Sequence, residues 1–205
     1  MAIDYNKVST TFNGLSFIGA YSQRPICGAL AGHNRNTLAV AKLAPTTATD
    51  KILPAYAVQL DSTAAISANT NAGVGLNPNV FTAKKLDVTT GTLSGFLLVN
   101  EKDVLEHGDV AAYARYGQIV NVATLGSMAE IYLPCDNTIQ GLAVGATLYW
   151  DATANLVKGA ETTGVTAEIK GAILLSQVVD GVRFVEDASG SVKYEACKCA
   201  KIRLA

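Results

Sequence analysis

Two histidines, four cysteines and seventeen acids are the residues with which this chain could do chemistry, and no spacing among them completes a site. Nucleophilic hydrolysis needs a Ser, Cys or Thr beside a base, with a third group orienting that base. His33 lies in the polar run Gly32-His-Asn-Arg-Asn36 and His107 precedes Gly108, neither near a G-x-S-x-G elbow. Both read as loop or surface histidines. The acids Asp103, Glu106, Asp109, Glu130, Asp136, Asp151, Asp180, Glu186 and Asp187 fall mostly in expected turns, where Asp and Glu serve the backbone and solvation. A glycosidase needs only two carboxylates at the right separation, but nothing here favours such a pair.

Cys197 and Cys199, at i and i+2, would project from one side of a strand and could chelate together. Zinc needs two more ligands, and no C-x-x-C or H-x₃-H accompanies them. Their phase-mates Lys193, Glu195, Lys201 and Arg203 are polar, which suggests a wet or interface-facing side, with the cysteines as small packing residues. Together with Cys27 and Cys135 they are too few and too irregularly spaced for a disulfide scaffold, so free thiols are expected. Ala72-Gly-Val-Gly-Leu76 contains G-x-G without the strand–turn–helix context of a phosphate cradle. Tyr149 and Trp150 could stack a sugar, but strand neighbours face opposite ways, so Trp150 reads as a core anchor. The chain is expected to be no enzyme, with no cofactor and no metal.

The elements that would position these residues are mainly β. The chain has 205 residues, 49% hydrophobic and 16% charged, with 18 glycines. Its Ala, Val, Thr and Gly suit pleated, half-buried surfaces and turns. So low a charge fraction suggests that much of the surface ends against another protein. Sixteen basic against seventeen acidic residues leave no field for phosphates, and the tightest basic group, Lys193, Lys198, Lys201 and Arg203, is interrupted by Glu195. Nucleic acid is disfavoured as a partner. No apolar run approaches the roughly 18 residues of a membrane helix. The first residues lack the pattern of a signal peptide, so synthesis in a cytosol is expected and no membrane partner is.

Residues 1–35 lack sustained periodicity and read as an extended arm carrying Ile3, Tyr5, Phe12, Phe17 and Tyr21, the candidate contacts to a neighbouring subunit or partner. The arm could equally fold back on its own domain. Residues 36–92 read as a loop-rich β region with short strands broken by Pro45 and Pro54 and a binding-type loop at 61–80. Residues 93–205 read as a compact β-barrel or sandwich forming one folding unit with 36–92.

Within that last part, Gly95-Phe-Leu-Leu-Val99 is a buried strand, followed by a single helical turn from Asn100 to His107. A long β segment over 109–122 bends at Gly117. Ser127-Met-Ala-Glu130 matches a capping box for a brief helix. Asp151-Ala-Thr-Ala-Asn155 is a hairpin loop, and alternation over 165–175 gives a strand with one buried face. Asp180-Gly181 is the strongest two-residue hairpin signal, because a type I′ turn needs positive φ at both central positions. In the final segment Ala196, Ala200, Ile202 and Leu204 share one phase.

Four segments, Val110–Val122, Gly141-Leu-Ala-Val-Gly-Ala-Thr-Leu-Tyr-Trp-Asp-Ala-Thr-Ala-Asn-Leu-Val157, Lys170-Gly-Ala-Ile-Leu174 and Ala200-Lys-Ile-Arg-Leu-Ala205, carry a resemblance. In order and spacing over residues 95–205 they resemble the capsid decoration, or structural cement, proteins of tailed bacteriophages. The resemblance implies a small β-barrel or sandwich that assembles as a homo-oligomer, a trimer before a dimer, on the exterior of the virion capsid. There it would bind the major capsid protein and stabilise the shell, after synthesis in the host bacterial cytoplasm. The arm and the loop at 61–80 would make this a longer member. A phage tail or baseplate protein and a β adhesin domain are the alternatives, followed by a carbohydrate-binding or hydrolytic β domain centred on Trp150 and Asp151.

Overall fold

The computed structural model describes residues 25–32, 39–43, 52–61, 81–99, 119–186, 188–190 and 192–205. The regular structure of these residues is β, apart from one 3-10 turn at Asn137–Ile139. The first strand, β1 (Leu30–Gly32), belongs to a strap over 25–32. Five further strands close a barrel: β2 (Ala39–Leu43), β3 (Ala57–Asp61), β4 (Phe81–Lys85), β5 (Gly95–Leu97) and β6 (Ile119–Thr124), in the order β2-β4-β3-β5-β6. The β2–β4 pair is parallel and the other pairs are antiparallel.

Val58, Leu97, Val122 and Ala41 are fully buried in one apolar cluster of this barrel. Phe96 and Ala123, one residue out of phase with Leu97 and Val122, belong to a second cluster shared with the rest of the chain. Successive side chains on a strand point to opposite faces, so β5 is covered on both, which accounts for the unbroken apolar run Gly95–Val99. Strands from both sides of residue 92 build the barrel.

The remaining strands form two sheets. β7 (Ala129–Pro134) buries Ala129, Ile131 and Leu133 and turns Glu130 and Tyr132 toward the surface. In the three-stranded sheet, β8 (Tyr149–Asp151) lies between β9 (Leu156–Lys158) and β10 (Thr166–Glu168). β11 (Ala172–Leu174) and β12 (Val179–Glu186) both pair with the long closing strand β13 (Val192–Leu204). β13 places Ile202 opposite Ile131, Ala200 opposite Leu133 and Leu204 opposite Ala129, all buried, while Arg203 meets Glu130 on the wetter face at 2.5 Å. Such cross-strand pairs are the units that hold a sheet together.

The strap closes this curled sheet. Cys27 N–H donates to Val182 O of β12 at 2.8 Å, and Gly28 N–H donates to Tyr132 O of β7 at 2.7 Å. Of the segment expected as an arm, residues 25–32 therefore lie on the home domain, and residues 1–24 fall outside the described residues. The 62–80 loop, the Asn100–His107 turn and the bend at Gly117 fall outside them as well.

Three local expectations are corrected. Asp180-Gly181 is no turn: β12 runs straight through it, Gly181 pairs with Cys197 and does not take positive φ, and the chain reverses between Glu186 and Val192, where Gly190 has φ +80°. Glycine serves a close approach there, since a Cβ at Gly181 would run into Cys199 Sγ and sit 3.0 Å from Pro25 O. Ser127–Glu130 starts no helix. Met128 takes φ +59°, its N–H donates to Leu204 O at 2.7 Å, and Ala129 is already strand, so pairing with β13 overrides the capping signal. The alternation over 165–175 is two strands, not one. The chain leaves the three-stranded sheet after Glu168, turns at Gly171 with φ +71°, and joins β13 through β11, where the buried phase passes from Ile173 to Leu174.

Candidate functional site

The five residues expected to grip a partner, Ile3, Tyr5, Phe12, Phe17 and Tyr21, lie outside the described residues, as do His33 and His107. The described surface offers a different feature, a fixed apolar tip. The sequence Gln140-Gly-Leu-Ala-Val-Gly-Ala146 makes two tight reversals in which Gly141 and Gly145 take φ of +79° and +88°, a region that glycine enters without a steric cost. Leu142 N–H donates to Ile139 O, Ala146 N–H to Ala143 O, and Gly141 N–H to the side chain of Gln177 at 3.0 Å. Val144 at the tip is 78% exposed. Phe81, Met128 and Val179 are also exposed but stand on other elements, and apolar residues scattered singly carry no functional weight. Val144 is the most exposed of them, and its loop is closed by turn bonds and tied to Gln177, so little ordering entropy would be lost when a partner covers it.

The loop leads straight into β8. Trp150 is 1% exposed and meets Phe96 of the barrel edge to face, ring centroids 5.2 Å apart, as a core anchor should. Asp151 is also buried. Its Oδ1 accepts from Thr153 N–H at 2.9 Å and Ala154 N–H at 2.8 Å, and its Oδ2 sits 2.6 Å from Lys158 Nζ. Burial pushes the Asp151 carboxyl up, but the Ala154 amide, Lys158 and the Thr153 amide together hold it below its ordinary value. Asn155 ends the loop at φ +52°, a left-handed position asparagine tolerates. Asp151 thus ties its own hairpin together.

Other described acids are similarly engaged. The Arg203 guanidinium, against some opposition from burial, and then Lys201 hold Glu130 below the usual carboxylate range. Asp136 caps the 3-10 turn by accepting from Thr138 N–H at 2.8 Å and from the Thr138 hydroxyl. Asp180 pairs with Lys198 at 2.8 Å. A shallow cleft of about 330 Å³ lies between Tyr56, Asn155, Arg183, Lys193 and Glu195. Arg183 donates to Ala154 O at 3.4 Å and lies 3.9 Å from Glu195. Its lining holds no Ser, Thr, Cys or His.

The expected wet side of β13 holds at Lys193 and Glu195, which are exposed, but not at the cysteines. Cys199 is fully buried and Cys197 partly so, because the strap and Gly181 cover that face. Cys27, carried by the strap, brings its Sγ to 3.5 Å from Cys197 Sγ across 170 residues of sequence. Burial, then its bonds to Cys197 and Cys199, pushes the Cys27 thiol well up. The bond from Cys27, against burial, and the charge of Arg183 bring Cys197 down. Burial pushes Cys135 up to about 12. No spacing rule links residue 27 to residue 197, so the sequence carried no signal for this cluster. Among the described residues no group of three or more His, Cys, Asp or Glu is arranged to hold a metal ion.

No protein-family model matches the chain, and no curated protein matches its sequence.

Proposed function

We propose that this chain is a capsid decoration protein that binds the outer surface of a tailed-phage shell as a homo-oligomer and stabilises it without doing chemistry. The observation that carries this reading is the convergence of the segments on which the resemblance rests. Trp150 and Val157 of the β8–β9 hairpin, Leu174 of β11, and Ile202 and Leu204 of β13 share one buried core. Three of the four segments thus pack together, with the Gly141–Ala146 loop presented at their surface, while Val120 and Val122 of the first segment pack in the barrel's own cluster. Val144 supplies an apolar contact and the aromatic-bearing N-terminal segment a second one. Each contact is modest, and repetition around a shell multiplies them. No helix among the described residues is long and apolar enough to cross a membrane.

The test is co-sedimentation of the purified protein with empty capsid shells, with its mass measured in solution. Near-stoichiometric capture by the shells and a trimeric or dimeric mass are expected. A protein that stays in the supernatant, or that occurs in virions at the few copies of a tail component, overturns the reading. Val144→Asp is expected to weaken capture at least tenfold while leaving the melting temperature within about 2 °C, as for a surface substitution.

A further inference from the structure

We propose that Cys27 and Cys197 form a reversible disulfide, which makes the junction of strap and β13 a site of thiol–disulfide exchange with low-molecular-weight disulfides. This inference is independent of the capsid reading. It starts from geometry: the two Sγ atoms lie 3.5 Å apart, and a bond of about 2.05 Å needs only a small closing movement of adjacent side chains. The approach is directed by the backbone. Cys27 is fixed through its own N–H to Val182 and through Gly28 to Tyr132, and Cys197 lies opposite Gly181 on β12, where the absent side chain makes room for Cys199 Sγ. Of the four cysteines only Cys197 is partly exposed, so it is the one an external disulfide can reach first.

The two thiols are also differentiated. Cys197 is partly exposed and, with Cys27 donating to it and Arg183 nearby, is the one favoured as thiolate. Cys27 is fully buried and keeps its proton. The Cys197 thiolate attacks one sulfur of a disulfide RSSR, the S–S bond breaks, and RS⁻ leaves with the electron pair. RS⁻ takes the Cys27 proton, and the Cys27 thiolate attacks Cys197 Sγ in the mixed disulfide. The second RS⁻ departs and is protonated by solvent. The protein dithiol is oxidised by two electrons and RSSR is reduced to two RSH. The product ties the strap covalently to the last strand, which a reducing cytosol would leave open and an oxidising medium would close.

The full-length protein, reduced and then freed of reductant, is incubated with oxidised glutathione at about pH 8, where the lowered Cys197 thiol is more ionised than an ordinary one. Intact mass without reductant is expected to fall by about 2 Da with no glutathione adduct, as two hydrogens are lost on bond formation. Alkylation after denaturation should then find two free thiols of the original four, and peptide mapping should join Cys27 to Cys197. Dithiothreitol should restore all four. Cys197→Ser, at the partly exposed partner, should abolish the cross-link. A persistent glutathione adduct on Cys197, a cross-link between any other pair, or four unreacted thiols in the folded protein overturns the proposal. Because the mapping uses the unmodified sequence, it does not depend on any variant folding.

Discussion

Trp150 and Asp151 are adjacent, yet they contribute to stability by opposite means. Trp150 is among the largest fully buried side chains and joins the barrel to the hairpin sheet through Phe96. Trp150→Ala should therefore cost about 3–5 kcal/mol, read as a lowered urea midpoint, because the cavity lies between two sheets that cannot both collapse into it. Asp151 contributes through charge. Its carboxyl is held below the ordinary value, so its stabilisation is present above the unfolded-state value of about 3.9 and is lost as pH falls through the lower folded value. Lys158 is raised by its bond to Asp151, so its share is present below the ordinary lysine value and is lost only as pH rises through the higher folded one. Asp151→Asn should cost roughly 1–2 kcal/mol at neutral pH. The gap from wild type should narrow as pH falls from 5 toward 2, which denaturant titrations at stepped pH will measure. A gap that holds constant to pH 2 would show that the carboxylate charge contributes nothing.

Among the elements, β5 is the most constrained. It lies between β3 and β6 in the barrel while its other face packs against the shared core, and Gly95 passes so close to β6 that a Cβ would overlap the Ala123 carbonyl and sit 2.8 Å from Thr124 Cα. Both obstacles are backbone, which has little room to yield. Gly95→Ala should destabilise by about 1–3 kcal/mol, measured by thermal or urea unfolding, despite the usual entropic advantage of alanine. Gly126→Ala offers a contrast. A Cβ there meets nothing within 4 Å, and the cost comes only from its φ of +79°.

Across the whole molecule, the chain closes on itself. The strap at 25–32 hydrogen-bonds to β12 and β7, which flank β13 near the C-terminus, so an early segment and the last strand are structurally interdependent. Deleting residues 2–20 leaves the strap's bonds to Val182 and Tyr132 in place and should change the melting temperature little, while capture by shells falls. Deleting residues 2–32 removes Cys27, β1 and the bonds to Val182 and Tyr132, and should lower the melting temperature by more than about 10 °C or abolish cooperative unfolding. Differential scanning calorimetry of the two truncations checks both. If the shorter deletion alone unfolds the domain, the N-terminal segment belongs to the core rather than to an interface.

The sequence by itself determined the β character of the chain, the buried Gly95–Val99 run, Trp150 as a core residue, the Asp151–Asn155 reversal and the inward phase of Ala200, Ile202 and Leu204, though Ala196 of the same phase is exposed. Each of these is a local matter of periodicity, turn chemistry or side-chain size. Tertiary structure alone decided the rest. Asp180-Gly181 has the composition of a turn, but eight consecutive pairs with β13 and the crowding of Cys199 and Pro25 make it strand. The 165–175 alternation is continuous in sequence, but its two halves bond to different sheets. The strap's attachment and the approach of Cys27 to Cys197 depend on how a curled sheet meets a segment 170 residues away. Spacing within a window records which way neighbouring side chains point, whereas the partner on each face is chosen by pairing over the whole chain.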